Sequence, residues 1–283
     1  MTTQSQSPGL QGWALILGAS SGFGGAASLA LAKAGMHIFG VHLDRKATMP
    51  NVERIVTEIK QAGREAVFFN VNASDPEKRR EVLDQIEKIL ADRGEPSSVK
   101  VILHSLAFGT LKPFLAPSPK DAITQAQMDM TLDVMAHSLV YWVQELVTRQ
   151  LMVRGGRVYA MTSSGGTRVW SGYGAVSAAK AALESHIRQL AMELASLGIT
   201  ANAIRAGVTD TPALRKIPGN QEIVQTAQGL NPSGRLTTPE DVAAVLVVLS
   251  RPETHWVTGN VIGVDGGEDI VGFCISPFTA AST

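Results

Sequence analysis

The feature that most constrains this chain is a regular alternation. Short apolar, β-branched runs are separated by helix-length amphipathic stretches. Strands buried on both faces read as continuous apolar runs, and the helices that connect parallel strands show one apolar face, so the pattern is that of a parallel sheet covered on both sides. Strands are expected near 13–17, 36–42, 66–70, 99–104, 156–162, 199–205 and 259–265, and helices near 22–34, 51–62, 75–91, 126–152, 172–197 and 239–250. The expectation is an α/β fold: a single Rossmann-type doubly wound domain with a mostly seven-stranded parallel sheet and helices on both faces. A chain of 283 residues can bury one large core of this kind. The domain is expected over 12–270, after a flexible leader (1–11) and before a C-terminal tail (271–283).

Two stretches rich in Pro and Gly, 109–122 and 210–235, resist the alternation. Both follow the carboxyl ends of expected strands, the edge where open α/β sheets bind ligands. Segment 210–235 reads as a mobile substrate cover. The charges balance at 25 basic and 25 acidic residues, which argues against a nucleic-acid or anionic-membrane partner. The single cysteine, Cys274, cannot form an intramolecular disulfide or a thiolate metal cluster, and no metal site is expected. The polar N-terminus lacks the pattern of a signal peptide and no apolar run reaches the length of a membrane span, so a cytoplasmic protein is expected.

The first expected strand runs into Gly18-Ala19-Ser20-Ser21-Gly22-Phe23-Gly24, and helical period follows. Glycines at a strand-to-helix turn let the backbone approach a pyrophosphate, whose charge meets the amides at the helix N-terminus. The spacing is G-x-x-x-G-x-G, and alone it is also compatible with a plain turn. At the end of the second strand stand His42, Asp44, Arg45 and Lys46. A cation there suits the 2′-phosphate of NADP and a carboxylate suits the ribose of NAD. Arg45, with His42 or Lys46, points to NADPH; Asp44 leaves NADH open, and a solvated charge cluster at a helix start is the bland alternative.

Tyr173 and Lys180 lie seven residues apart, so on a helix they drift only about 20° around the axis and share one face. A phenol is a poor acid near neutrality unless a nearby cation supports its charged form. An arbitrary pair at this spacing would be a packed tyrosine and a snorkelling lysine. Here a strand ending in Ser163-Ser164-Gly165-Gly166 precedes the helix, at the sheet edge that also carries the glycine turn.

Together these residues resemble the short-chain dehydrogenase/reductase family: the glycine turn, Asn70-Val71 after the third strand, the Tyr and Lys helix, Gly207-x-x-x-Thr211 after the sixth strand, and Val264-Asp265-Gly266-Gly267. The six residues between Tyr173 and Lys180, the His104-Ser105-Leu106-Ala107-Phe108 segment, and Asp133 at the usual Asn position are similar to the enoyl-acyl-carrier-protein reductases. Ser163 stands where the commonest of these carry a second tyrosine, and the regular glycine turn looks closer to the NADPH-dependent variant of Bacillus-type bacteria.

The resemblance implies that Tyr173 hydrogen-bonds the thioester oxygen of a trans-2-enoyl substrate carried on acyl carrier protein or coenzyme A, with Ser163 or Ser164 as a second donor. Lys180 would bind the nicotinamide ribose and support Tyr173. Cofactor contacts are implied at Gly18, Ser20, Ser21, Gly22, Phe23, Gly24, His42, Arg45, Asn70, Val71, Ser105, Leu106, Ala107, Gly207, Val208 and Thr211, with the Val208 backbone meeting the nicotinamide carboxamide. His104 is assigned no chemistry. Leu214, Ile217, Ile223, Val224, Phe108, Met128 and Met135 are candidates to line an acyl channel, with plain core packing as the alternative. A homotetramer is also implied, with helices 126–152 and 172–197 at an interface. Two rival readings stay open: reduction of a 3-oxoacyl thioester or other carbonyl, and a non-catalytic dinucleotide-binding regulator on the same fold.

Overall fold

The computed structural model describes residues 9–217 and 219–272. The expected strands form as β1 (Trp13–Leu17), β2 (His37–His42), β3 (Ala66–Asn70), β4 (Val99–His104), β5 (Arg157–Ser163), β6 (Thr200–Ala206) and β7 (Val261–Val264). They make one all-parallel sheet in the order β3-β2-β1-β4-β5-β6-β7. The helices are α1 (Gly22–Ala34), α2 (Met49–Gln61), α3 (Pro76–Asp92), α4 (Gln125–Leu132), α5 (Ser138–Thr148), α6 (Gly174–Leu194), α7 (Asn220–Leu230) and α8 (Pro239–Leu249).

Side chains alternate along each strand, and the two faces collect two apolar clusters. Trp13, Leu15 and Leu17 of β1 pack with α3, α5 and α6 through Leu83, Trp142 and Leu183. Ala14 and Ile16 point the other way, to Leu31 of α1, Ile55 of α2 and Leu246 of α8. Because β1 lies between β2 and β4, the chain reverses its direction of travel there, which opens a crevice at the carboxyl ends of β1 and β4. Local chemistry starts the helices. Asp75 accepts from the amides of Glu77 and Lys78 with Pro76 at the first turn of α3, and Thr124 and Thr238 form capping boxes with Gln127 and Asp241.

The expected helix at 126–152 is instead α4 and α5 joined by a π-helical turn at Asp133–His137, and it stops at Thr148. Gln150 adopts a left-handed φ of 57°, which ends the helix and lets Leu151 and Met152 enter the core. Segment 210–235, expected to be irregular, contains α7 and a short 3₁₀ turn at Leu214–Lys216. Its apolar stripe is too thin to read from sequence: of Ile223, Val224 and Ala227, only Ala227 is buried. Most of the expected leader and tail, with Cys274, lies outside the described residues. No helix among the described residues is long and apolar enough to cross a membrane.

Leu103, near the carboxyl end of β4, pairs with Ile16 on one side and Tyr159 on the other and has no exposed surface. Replacing it with alanine is expected to cost about 2–5 kcal/mol, read as a lower midpoint in urea unfolding.

Candidate active site

The turn after β1 is built for close backbone approach. Gly18 has a φ of 90°, and a Cβ there would sit 2.5 Å from the carbonyl oxygen of Ser105; one on Gly24 would sit 2.1 Å from that of Gly18. Only glycine fits either position. The contact draws Ser105, Leu106 and Ala107 to the glycine turn, and Ser105 donates its amide to Leu17 at 2.9 Å. Ser21 caps α1 in an extended conformation, but its side chain makes no cap bond and no acid occupies the first turn. The positive end of the helix is therefore left for an anion from outside the chain. Ser20 is held by Asn51, which donates to its carbonyl, and Phe23 packs against the apolar cluster behind the turn.

At the end of β2, His42 points inward and its Nδ1 lies 3.0 Å from Oδ2 of Asp44. Burial acts to raise the Asp44 carboxyl, but hydrogen bonds with Thr48, Ser20 and His42 outweigh it and hold the pKa below the ordinary value. Asn70 grips the Asp44 backbone in both directions, accepting from its amide and donating to its carbonyl at 3.0 Å each. Val71 donates to the carbonyl of His42 at 2.8 Å. Thus His42, Asn70 and Val71 fix this corner, while Arg45 and Lys46 are exposed and pair with no acid among the described residues.

Tyr173 stands one residue before α6, with a φ of −94° and a ψ of 0°, as the N-cap and not within the helix. Both expected partners nevertheless face the same wall. A Cβ on Gly165 would lie 2.6 Å from the Tyr173 ring and 3.1 Å from Oγ of Ser163, and one on Gly166 would lie 3.7 Å from Cβ of Lys180. Ser163 Oγ accepts the Gly165 amide at 3.2 Å, so its own hydrogen remains available to donate. Ser164 begins the 3₁₀ turn that carries these glycines. Burial pushes the Tyr173 hydroxyl up, with Ser163 acting against the rise, so the phenol is protonated near neutrality.

Lys180 is 6% exposed and donates from Nζ to the carbonyl of Met161 at 2.7 Å. Burial lowers its pKa to about 8, against the pull of Glu184. His104, fully buried and held to Oγ of Ser138 at 2.9 Å, is depressed to about 3 by burial and by Lys180, and is neutral. Asp133 opens the π turn on the helix beside α6.

The segment after β6 closes the crevice. The Thr211 methyl would touch a Cβ on Gly22 at 3.5 Å, which seats 207–211 on the glycine turn. Gly207 is crowded by Thr237, Glu268 and Asp265. The Val208 amide donates to both oxygens of Glu268, at 3.0 and 3.3 Å. Nothing in the sequence pattern singled out Glu268, which stands between Asp265 and Asp269 after Gly266-Gly267. Trp170, edge-on to Tyr173 with ring centroids 5.5 Å apart, and Phe114, which covers Gly174, were missed for the same reason. Both rings are partly exposed, so they present apolar surface beside the tyrosine and the start of α6; Phe108 is exposed. Of the proposed channel residues, Met135 is core and touches Gly109 from within, while Leu214, Ile217, Ile223, Val224 and Met128 are half-buried. No metal-holding cluster of His, Cys, Asp or Glu occurs among the described residues.

A glycine cradle at a helix start, a phenol, a serine hydroxyl and a buried ammonium on one sheet edge define an oxidoreductase of the short-chain type. The family model described as enoyl-(acyl carrier protein) reductase matches residues 18–268, and the chain belongs to this family of short-chain dehydrogenases/reductases, which use NAD(P)H. It is 31% identical to the 3-oxoacyl-acyl-carrier-protein reductase of Escherichia coli over 255 residues, covering 90% of this chain and 96% of that protein. It is 28% identical to the NADH enoyl-acyl-carrier-protein reductase of Aquifex aeolicus over 239 residues, covering 83% and 84%. A short-chain dehydrogenase from Burkholderia cenocepacia, solved in complex with NADP, superposes with a TM-score of 0.76 at 25% identity, over 90% of this chain and 97% of that one.

The Lys180 pKa is lower folded than unfolded, so below about pH 8 the protein bears the cost of a buried charge. Between about pH 8 and the model-lysine range the unfolded chain binds the extra proton, and stability rises with pH. Lys180→Met is therefore expected to be the more stable protein near pH 7, by on the order of 1–3 kcal/mol, with the gap closing as pH rises. Urea unfolding of both proteins across this range tests it, and a gap that widens with pH would reverse the assignment.

Proposed function

We propose that this protein is an NADPH-dependent enoyl-thioester reductase that reduces the C2–C3 double bond of a trans-2-enoyl group on acyl carrier protein or coenzyme A. The observation that carries the reading is the wall formed by Ser163, Gly165 and Gly166. It faces Tyr173 and Lys180 together although six residues separate them in sequence. The glycine turn, crowded backbone to backbone and followed by an uncapped helix, fits a dinucleotide pyrophosphate. Exposed Arg45 and Lys46 fit a ribose 2′-phosphate better than does Asp44, which His42 and Thr48 already engage.

When bound, the cofactor supplies hydride. Tyr173, kept protonated by burial, donates a hydrogen bond to the thioester oxygen as charge builds on it, an oxyanion interaction worth a few kcal/mol. Ser163 is placed for a second donation. Lys180, with one N–H on Met161, has two more donors and a charge that favours negative charge on the tyrosine side. Trp170 and Phe114 offer apolar surface beside Tyr173 and Gly174 that suits an acyl chain. A homotetramer built through α5 and α6 belongs to the same proposal. The second reading is 3-oxoacyl reduction, with Tyr173 giving its proton to the keto oxygen; the identity to the E. coli 3-oxoacyl reductase and the hydroxyl of Ser163 favour it.

Purified protein is expected to oxidise NADPH with crotonyl or longer enoyl thioesters; turnover confined to 3-oxoacyl thioesters would overturn the first reading in favour of the second. Tyr173→Phe is expected to cut kcat by about 100-fold or more while the Kd for NADPH changes by no more than about twofold. Arg45→Asp should weaken NADPH far more than NADH in fluorescence titrations, and equal losses would remove the cofactor assignment.

A further inference from the structure

Glu268 is the only acidic side chain among the described residues that is buried, at 6% exposure. Two consecutive glycines after β7, Gly266 and Gly267, with φ of 63° and 87°, turn the chain back and place it beneath the segment after β6. Its hydrogen bonds come from the Val208 amide alone, and it makes no ion pair with a described residue. The charged groups around it are Asp265 and Asp269, which repel it, and Arg168, which attracts it. Arg168 is committed elsewhere: its Nη2 meets the backbone and side chain of Asp269 at 2.8 and 3.2 Å, and Arg205 meets the same carboxylate at 3.0 Å.

A buried carboxylate held by one amide, with two acids nearby, is short of positive charge. It lies at Gly207 and Val208, where the segment 207–211 that rests on the glycine turn begins. The reduced nicotinamide ring is neutral and the oxidised ring is cationic. We propose that Glu268 is a specificity-determining residue that biases this site toward the oxidised nicotinamide dinucleotide, its carboxylate at Val208 supplying the counter-charge. The inference rests on the reading of the crevice as a nicotinamide site, and it concerns which redox form is held, not which substrate is reduced.

The test compares wild type, Glu268→Gln and Glu268→Asp by calorimetric titration with NADP⁺ and NADPH, or with NAD⁺ and NADH if the wild type binds those more tightly. Glu268→Gln keeps the shape and removes the charge. It is expected to raise the ratio of the Kd for the oxidised form to that for the reduced form by roughly tenfold. Glu268→Asp, which keeps the charge, should leave the ratio within about threefold of wild type. A ratio unchanged in Glu268→Gln, with both affinities shifted together or neither shifted, overturns the proposal and leaves a purely structural carboxylate. Binding of neither redox form of either dinucleotide to the wild type removes the cofactor reading itself, and this inference with it.

Discussion

The parallel register of the sheet is the constraint on which everything else depends. Leu17 pairs with His104, His104 with Ala160, and Ser163 with Ala206, which pairs in turn with Val264. Strands held in this register finish close together, so the residue after each one faces the same crevice: Gly18 after β1, Ser105 after β4, Ser164 after β5, Gly207 after β6 and Asp265 after β7. No long-range design is needed to gather a site from five separate segments. Hydrogen bonding between parallel strands places them, and the apolar clusters on both faces hold the strands in that register.

This explains why so much was legible in the sequence. Strand positions follow from apolar runs, and once strands are placed, whatever follows them is a candidate for the crevice. The glycine turn and Ser163 were found this way, Tyr173 and Lys180 by their spacing on one helix, and the Gly207 to Thr211 segment by family resemblance. What escaped were features decided by tertiary contact. Gln150 has no sequence signal for its positive φ, α7 has too few buried residues to show a period, and the π turn at Asp133–His137 leaves the helical pattern nearly unbroken. Glu268 escaped because burial of a carboxylate depends on the turn that Gly266 and Gly267 impose and on its close packing against Gly207, which has no side chain, not on its own neighbours in sequence.

His42 illustrates how position in sequence can be read correctly while the role shifts. It stands at the strand end where a ribose-recognising group is expected, yet its ring is buried and turned to Asp44. With the Asn70 side chain gripping the backbone of Asp44, the corner after β2 is fixed by contacts among its own residues. The exposed charged groups at this corner are the cations that follow, Arg45 and Lys46, so in the proposed cofactor reading His42 is a positioning residue and the cations supply the charge.

Two charges are buried at this sheet edge, Lys180 behind the β5 wall and Glu268 beneath the turn after β7. Neither is neutralised by the other, and each is held by a single backbone group, Met161 carbonyl or Val208 amide. Apolar residues of similar volume would make a more stable fold at both places, because desolvating an ion costs more than one hydrogen bond returns. Their signs are opposite, with the negative group at Val208 and the positive one at the Met161 carbonyl of β5. In the proposed reaction, hydride transfer would move negative charge from the ring toward the oxygen assigned to Tyr173. Under the proposed function, the stability given up at Lys180 and Glu268 would correspond to electrostatic preorganisation, charges fixed in place before the reacting groups arrive.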